Sequence, residues 1–341
     1  MKKKILSLVM ATAFILSGCQ NSSRDTVVAN VGEYEITKSE FEFYLQGIKQ
    51  QMQGTELSTE EDWHTKEIDG KLAIEVAKEE ALNNALYNIA YIEIYKNMGH
   101  KIGAEEKKAI KETKDNIVAE YEQNGGYEEF LKTQGITDEF VDLLCESIYC
   151  SDQLYAEFTQ GKDVSDERVN QHFEENADEL AKYRTAKHVL ISTQNIETGE
   201  AYDDAKKAEA KQKADEILKK AKNGEDFDAL VNQYSEDPGS KTSPNGYTFG
   251  DGEMVQEFQD CVDSLKPGEI GFCQSSFGYH IVKRVELDKS VFVENVKQFL
   301  LTEEFNKYID EKCAEYAITI EANDLINDIG MSDSSKEQTV E

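Results

Sequence analysis

Residues 181–190, AKYRTAKHVL, and 277–286, FGYHIVKRVE, bracket the stretch that decides the fold. Each holds a histidine, His188 or His280, followed by a short apolar run: Val189-Leu190-Ile191 in the first, Ile281-Val282 in the second. Such runs between polar residues read as buried strands, and neighbouring strands would bring the two histidines together. Between them lie an Ala/Lys-rich helical pattern, a shorter helix ending at the turn Asp237-Pro238-Gly239, and a third helix over about 254–265. The order is strand, helix, helix, helix, strand. All 3 prolines, Pro238, Pro244 and Pro267, sit at turns inside this stretch, which marks a compact domain between long helical arms.

Met254 and Phe258 stand four apart, so on a helix they share a face and can floor an apolar pocket, with Phe249 beside the Gly250-Asp251-Gly252 turn as a wall. The same spacing also suits ordinary core. Asp237 reads either as a functional carboxylate or as a turn residue before Pro238. For His188 and His280 the alternatives are a direct role in chemistry and a satisfied structural pair that organises a site.

The motifs KHVLIS (187–192), YSEDPGS (234–240), FGDGEMVQEF (249–258), LKPGE (265–269) and FGYHIVK (277–283) resemble the parvulin-type peptidyl-prolyl isomerases. The resemblance implies rotation about Xaa-Pro amides, whose uncatalysed barrier is about 18–20 kcal/mol. No bond breaks in that reaction, so no nucleophile, metal or cofactor is expected. What accelerates it is a pocket that grips the proline, keeps water off the amide and stabilises the twisted form. The resemblance assigns the catalytic positions to His188, His280, Asp237 and Ser275, the hydroxyl of Ser275 fixing a histidine tautomer. It assigns proline contacts to Met254, Phe258 and Phe249. Many parvulins carry Gly-Asp-Leu-Gly before the aromatic wall; here the chain reads Asn245-Gly246-Tyr247-Thr248, and Tyr247 takes the place of the leucine. The loop STQNIETGE (192–200) has no lysine or arginine, whereas phosphate-directed parvulins need a basic cluster there. Phosphoserine before the proline is therefore not required.

The chain opens with Lys2, Lys3 and Lys4 and an apolar stretch over 5–16, too short to span a bilayer. It reads as a lipoprotein signal peptide, 1–18, ending Leu16-Ser17-Gly18-Cys19 like a bacterial lipobox, with Cys19 the lipidated residue and 19–26 a polar tether. An ordinary secretory peptide with an incidental cysteine is the alternative. These features place the protein at the cell membrane, lipid-anchored, on the extracytoplasmic face.

Residues 27–178 read as a helical region. VVANVGEYEIT (27–37) gives two short strands around Gly32, and Thr37-Lys38-Ser39-Glu40 is a capping box before Phe41, Tyr44, Leu45 and Ile48. Helical periodicity returns over 71–97, 104–123, 138–158 and 166–176. The segment VVANVGEYEITKSEF (27–41) resembles the opening of the chaperone domain in trigger-factor and SurA-like foldases and Gram-positive PrsA lipoproteins. That resemblance pairs the N-terminal arm with the far end, 289–328, where a helix over 291–308 and a strand over 316–320 are expected. The fold class is then α+β: a parvulin domain at 179–288, a small antiparallel sheet with surrounding helices, inserted in a mainly α-helical chaperone domain built from both ends. A polar, disordered tail is expected at 329–341.

The formal net charge is -31, and losing the three signal lysines makes it more negative. Such a charge disfavours nucleic acid and suits basic partners or simple solubility. Among the remaining cysteines, Cys261 and Cys273 are placed to meet inside the central domain, with core packing the default. His64, His100 and His172 make no ligand spacing and read as surface; no metal is expected. Trp63, among Glu60, Glu61 and Asp62, reads as a loop residue and a candidate client contact. The reading is an exported isomerase and chaperone acting on unfolded proteins with Xaa-Pro bonds. Its alternatives are a non-catalytic holdase that keeps the parvulin fold as a clamp, and a lipoprotein with a narrow structural role.

Overall fold

The computed structural model describes residues 26–54 and 56–330. The expected signal peptide, Cys19 with its tether as far as 25, and the tail from 331 lie outside those residues. The chain divides into two compact units, one of residues up to Lys162 with those from Leu301 onward, the other of Asp163–Leu300.

The first unit opens with β1 (Val27–Val31) and β2 (Tyr34–Thr37), an antiparallel hairpin turned by Gly32 at φ 58°. Thr37 then caps α1 (Lys38–Met52). Its hydroxyl accepts from the Glu40 N–H at 3.3 Å, and the Glu40 carboxylate accepts from the Thr37 N–H at 2.8 Å. Phe41, Tyr44, Leu45 and Ile48 form the buried stripe of α1, as the spacing predicts.

A second capping box, Thr59 with Asp62, starts α2 (Glu60–Thr65). Its acidic first turn faces out while Trp63 turns in, 4% exposed, with the Lys49 ammonium 5.1 Å from the ring centroid. Trp63 is thus a core residue, not a loop contact. β3 (Glu67–Ile68) and β4 (Lys71–Leu72) pair across Asp69-Gly70, both at positive φ, so the helix expected from residue 71 begins two residues later as α3 (Ala73–Asn97). Along α3, Ala73, Ala77, Ala81 and Ala85 are fully buried, a small-residue stripe that lets neighbouring helices approach closely. α4 (Ala104–Gln123), α5 (Tyr127–Gln134) and α6 (Asp138–Thr159) follow. α5 goes unread in the sequence because YEEFLKTQ supplies one apolar turn between Gly126 and Gly135. Inside the bundle Ser147 donates to the Asn88 side-chain carbonyl at 2.8 Å, which satisfies a buried polar pair.

The second unit holds α7 (Asp166–Glu175), α8 (Ala177–Leu180), β5 (Arg184–Ser192), α9 (Asp204–Lys222), α10 (Phe227–Tyr234), β6 (Tyr247–Phe249), α11 (Gln256–Asp263), β7 (Ile270–Ser275) and β8 (Gly278–Val285). Its sheet is fully antiparallel in the order β6-β5-β8-β7. The outer strands β6 and β7 are additions to the two-strand reading, since each lacks a run of branched apolar residues. Period-two alternation sorts the side chains. Val189, Ile191, Tyr279 and Ile281 face α9 and α10 through Ala214, Ile217, Phe227 and Leu230. Ala186, Val282 and both histidines face the other way, toward Phe258 and Val262 of α11.

α12 (Val293–Glu315) carries the chain back to the first unit, and β9 (Ile320–Ala322) pairs antiparallel with β1, Val31 opposite Ile320 and Ala29 opposite Ala322. In that unit Phe305, Ile309 and Cys313, spaced by four, join Tyr87, Tyr91 and Leu154 in a second core. The ends therefore meet, with the helix longer and the strand later than expected: Ala317, at φ 54°, makes the helix exit. Ile326 and Ile329 are buried in the core that holds Phe41, so 329 belongs to the fold and not to a tail. The second unit is also wider than 179–288. The His172 ring lies 5.2 Å from Phe299, and Lys297 pairs with Asp163 at 3.1 Å, which holds α7 to the start of α12.

The other two histidines are also not free surface. His100 stacks on Tyr95 at 4.5 Å, and His64 lies 3.6 Å from the Glu60 carboxylate. Among the described residues no helix is long and apolar enough to cross a membrane, and no cluster of three or more His, Cys, Asp or Glu could hold a metal ion.

Candidate active site

Register places His188 and His280 on adjacent strands, His188 opposite Val282 and His280 opposite Leu190. Their rings are nearly parallel, 10° apart, with Nδ1 facing Nδ1 at 3.1 Å. The outer nitrogens are also engaged: His188 Nε2 lies 2.9 Å from Asp237 Oδ2, and His280 Nε2 lies 2.7 Å from Ser275 Oγ.

For two neutral rings one order of protons fits. Burial alone would raise the Asp237 carboxyl, but hydrogen bonds from His188, Tyr247 and Ser240 hold it well below the usual carboxylate range. An ionised carboxylate only accepts, so His188 donates through Nε2. His188 then accepts at Nδ1 from the Nδ1–H of His280, and His280 accepts at Nε2 from the Ser275 hydroxyl. Ser275 in turn accepts from the Phe277 N–H at 3.1 Å. Burial, and next the neighbouring His188, pushes the His280 pKa down to about 4, which agrees with a neutral ring.

Asp237 is held by its neighbours in the chain. It caps the 3-10 turn Pro238–Lys241, and its second oxygen accepts from the Gly239 N–H at 3.2 Å. The Ser235 hydroxyl accepts from the Leu190 N–H and the Glu236 carboxylate from the Ser192 N–H, which staples this segment to β5. Tyr247 donates to Asp237 at 2.6 Å and Ser240 at 2.9 Å. Burial, then the Asp237 carboxylate, raises the Tyr247 phenol well above its ordinary range. Gly239 makes this possible, because a Cβ there would collide with the Tyr247 hydroxyl.

Above this chain lies a groove of about 450 Å³, within the size range of small-ligand clefts. Phe258, Met254, Leu190 and Tyr247 line it, and its rim carries Ile196, Val255 and Phe277, three of the exposed large apolar side chains. Among the described lining residues the charged groups are Asp237 and Glu253, with no lysine or arginine. Phe258 sets its ring edge-on to both histidines, 5.2 Å from His188 and 5.5 Å from His280.

Two expectations need correction. Met254 precedes α11 instead of riding on it, Val255 being the cap, yet its side chain still reaches the groove. Phe249 is 1% exposed and packs 5.9 Å behind Phe258, so it supports the floor and forms no wall. Ser240, Ile196 and Val255 were not singled out in the sequence, and Leu190 was read only as part of a buried strand. Ser240 was legible in principle as the hydroxyl three residues after a capping aspartate; the rim is set only by tertiary packing.

Residues 171–287 match the family described as the PPIC-type PPIASE domain. Foldase protein PrsA of Caldanaerobacter subterraneus subsp. tengcongensis is 27% identical over 328 residues, which cover 92% of this chain and 94% of the relative. Foldase protein PrsA 4 of Bacillus cereus is 38% identical over 130 residues, 37% of this chain and 45% of the relative. Among solved structures, peptidylprolyl isomerase PrsA from Bacillus anthracis is 25% identical, with 70% of this chain and 99% of that chain covered and a TM-score of 0.25.

Proposed function

This chain is PrsA-like and its residues 171–287 belong to the PPIC-type peptidyl-prolyl isomerase family, and from that premise we propose how it works and where. It is a peptidyl-prolyl cis/trans isomerase and foldase whose substrates are unfolded or partly folded exported proteins. The proline ring sits on Phe258 and Met254, beside Leu190. The Asp237 carboxylate faces the substrate amide and disfavours negative charge on its carbonyl oxygen, so the bond twists with its polarity directed to nitrogen. His188, His280 and Ser275 act as positioning residues that fix the carboxylate, while the apolar rim excludes water.

The observation that carries this reading is the unbroken hydrogen-bond run from Ser275 through His280 and His188 to Asp237, directly beneath an apolar groove. Two carboxylates and no cation among the described lining residues suit an unphosphorylated residue before proline. The first unit, built from both ends of the chain, holds non-native segments. Cys19 carries the lipid that anchors the chain outside the cytoplasm; a Cys19→Ala variant should leave the membrane fraction and lose incorporation of labelled palmitate.

The test is cis/trans exchange of an unphosphorylated Xaa-Pro peptide, followed by NMR in the presence of the full chain. Exchange well above background supports catalysis. Background exchange by a folded protein would overturn it and leave the holdase, a reading favoured by one observation: Tyr247, standing where many parvulins have leucine, commits its hydroxyl to Asp237.

A further inference from the structure

Cys261 and Cys273 stand on the two elements that frame the groove, and isomerisation as proposed uses neither. Cys261 lies on α11, three residues after Phe258, and Cys273 lies on β7 directly opposite His280. Both are free and partly exposed. Gly271 shows where the Cys261 sulfur sits, because a Cβ added at Gly271 would fall 2.7 Å from it. Residues 271 and 273 project to the same face of a strand, so that sulfur lies over the face from which Cys273 points. Both side chains pack against the cluster of Phe258, Val262 and Val282. Neighbouring Cys273 lowers the Cys261 thiol, and neighbouring Cys261, with burial, pushes Cys273 up. Cys145, Cys150 and Cys313 differ: all three are buried and raised by that burial, the pattern of inert core thiols.

We propose that Cys261 and Cys273 form a reversible dithiol–disulfide couple, a modification site whose oxidised form clamps α11 onto β7 and slows isomerisation. The co-reactant is a disulfide, either a small molecule or one on an exported protein. The Cys261 thiolate attacks one sulfur of it, forming a mixed disulfide and releasing the other half as a thiolate. Cys273 then gives up its proton and attacks the Cys261 sulfur, forming the internal bond and releasing the second half. Two protein thiols are oxidised, one external disulfide is reduced to two thiols, and their two protons pass to the products. Closing the contact to a bond of about 2.05 Å draws α11 toward β7, the strand farther from β5. Phe258 moves with it, away from His188 and Tyr247.

The effect on turnover rests on the isomerase reading; the couple itself does not. The full chain is equilibrated with reduced and oxidised glutathione, alkylated, cut after Glu269 and mapped by mass. The expected result is a Cys261–Cys273 link with two hydrogens lost, a higher melting temperature, and exchange slower by about threefold or more. Dithiothreitol reverses all three, and Cys261→Ser and Cys273→Ser show none of them. Glutathione adducts without an internal link would overturn the proposal, and so would a linked protein as fast as the reduced one. If the reduced chain does not speed exchange, the isomerase reading falls, and the link and melting shift still decide the couple.

Discussion

His188 and His280 face each other through Nδ1 at 3.1 Å, on antiparallel strands that place them on one face of the sheet. A single hydrogen occupies that gap. With Asp237 ionised at one end and Ser275 donating at the other, a neutral pair has one consistent set of tautomers, and protonating both rings would set two N–H groups against each other and break the run.

That arrangement sets a pH dependence. The His280 pKa is depressed from 6.5 to about 4, so between these values the unfolded chain binds a proton that the folded chain excludes. Stability is therefore fully present above about pH 6.5 and falls as pH drops toward 4, by about 3 kcal/mol at most. Asp237, held below 3.8, adds a separate loss at still lower pH. Urea unfolding of wild type and His280→Asn from pH 7 to 4.5 checks this: the variant should be the flatter, and a flat wild type would contradict a buried neutral ring.

Asp237→Asn keeps the shape and removes the charge. Exchange catalysed by the full chain should fall about tenfold or more, with the circular dichroism unchanged. An undiminished rate would remove Asp237 from the chemistry.

Gly239→Ala and Tyr247→Phe should behave alike, because each breaks the Tyr247 to Asp237 hydrogen bond by a different route. A hydrogen bond to a charged group is worth about 1.5–3 kcal/mol. Both variants should raise the Asp237 pKa, measurable from the carboxyl carbon shift by NMR. A Gly239→Ala protein with an unmoved Asp237 would show that the tyrosine does not hold it.

Met254 and Phe258 separate binding from packing. Met254 is half-buried beside the groove, so Met254→Ala should lower kcat/KM with little change in melting temperature. Phe258 is 3% exposed and shared with the core, so Phe258→Ala should cost about 3–5 kcal/mol. Thermal melts beside exchange rates distinguish the two.

Ending the chain after Tyr316 removes β9, the buried Ile326 and Ile329, and the Asn327 carbonyl that accepts from the buried Lys78 at 2.7 Å. Each isoleucine contributes about 1.5–3 kcal/mol. Amide hydrogen exchange should quicken over β1 and β2 and stay unchanged over β5 and β8. Uniform protection in the truncated chain would mean that the ends do not depend on each other.

Trp63 offers a simple optical check. Buried beside Lys49, it should emit in the blue-shifted range of core tryptophans, resist acrylamide and not respond to an unfolded client. An exposed emission spectrum would return it to the client-contact reading.

Much of the fold was legible because its signals are local. The Thr37-Glu40 capping box, the apolar runs after His188 and His280, and the glycine and proline turns each act within a few residues. β6, β7 and α5 were not legible, since three to eight residues without strong periodicity are held by what they pack against. At the site, the identities of His188, His280, Asp237, Ser275 and Tyr247 could be named, but not which of them touch. Phe249 and Trp63 were misread for one reason: an aromatic ring's spacing is the same whether it faces a ligand or a core.

By itself, then, the amino-acid sequence determined the chemical kinds of residue at the site, the alternation that puts both histidines on one sheet face, and the short turns that bound the central domain. Tertiary structure decided the rest: the Nδ1 to Nδ1 approach, the direction of the proton run into Asp237, the space Gly239 leaves for Tyr247, and the pairing of β1 with β9. The physical reason is range. Capping, alternation and turn geometry are set by neighbours in the chain, whereas a hydrogen bond 92 positions apart or a strand pair linking Ala29 to Ala322 forms only once burial has brought those segments together.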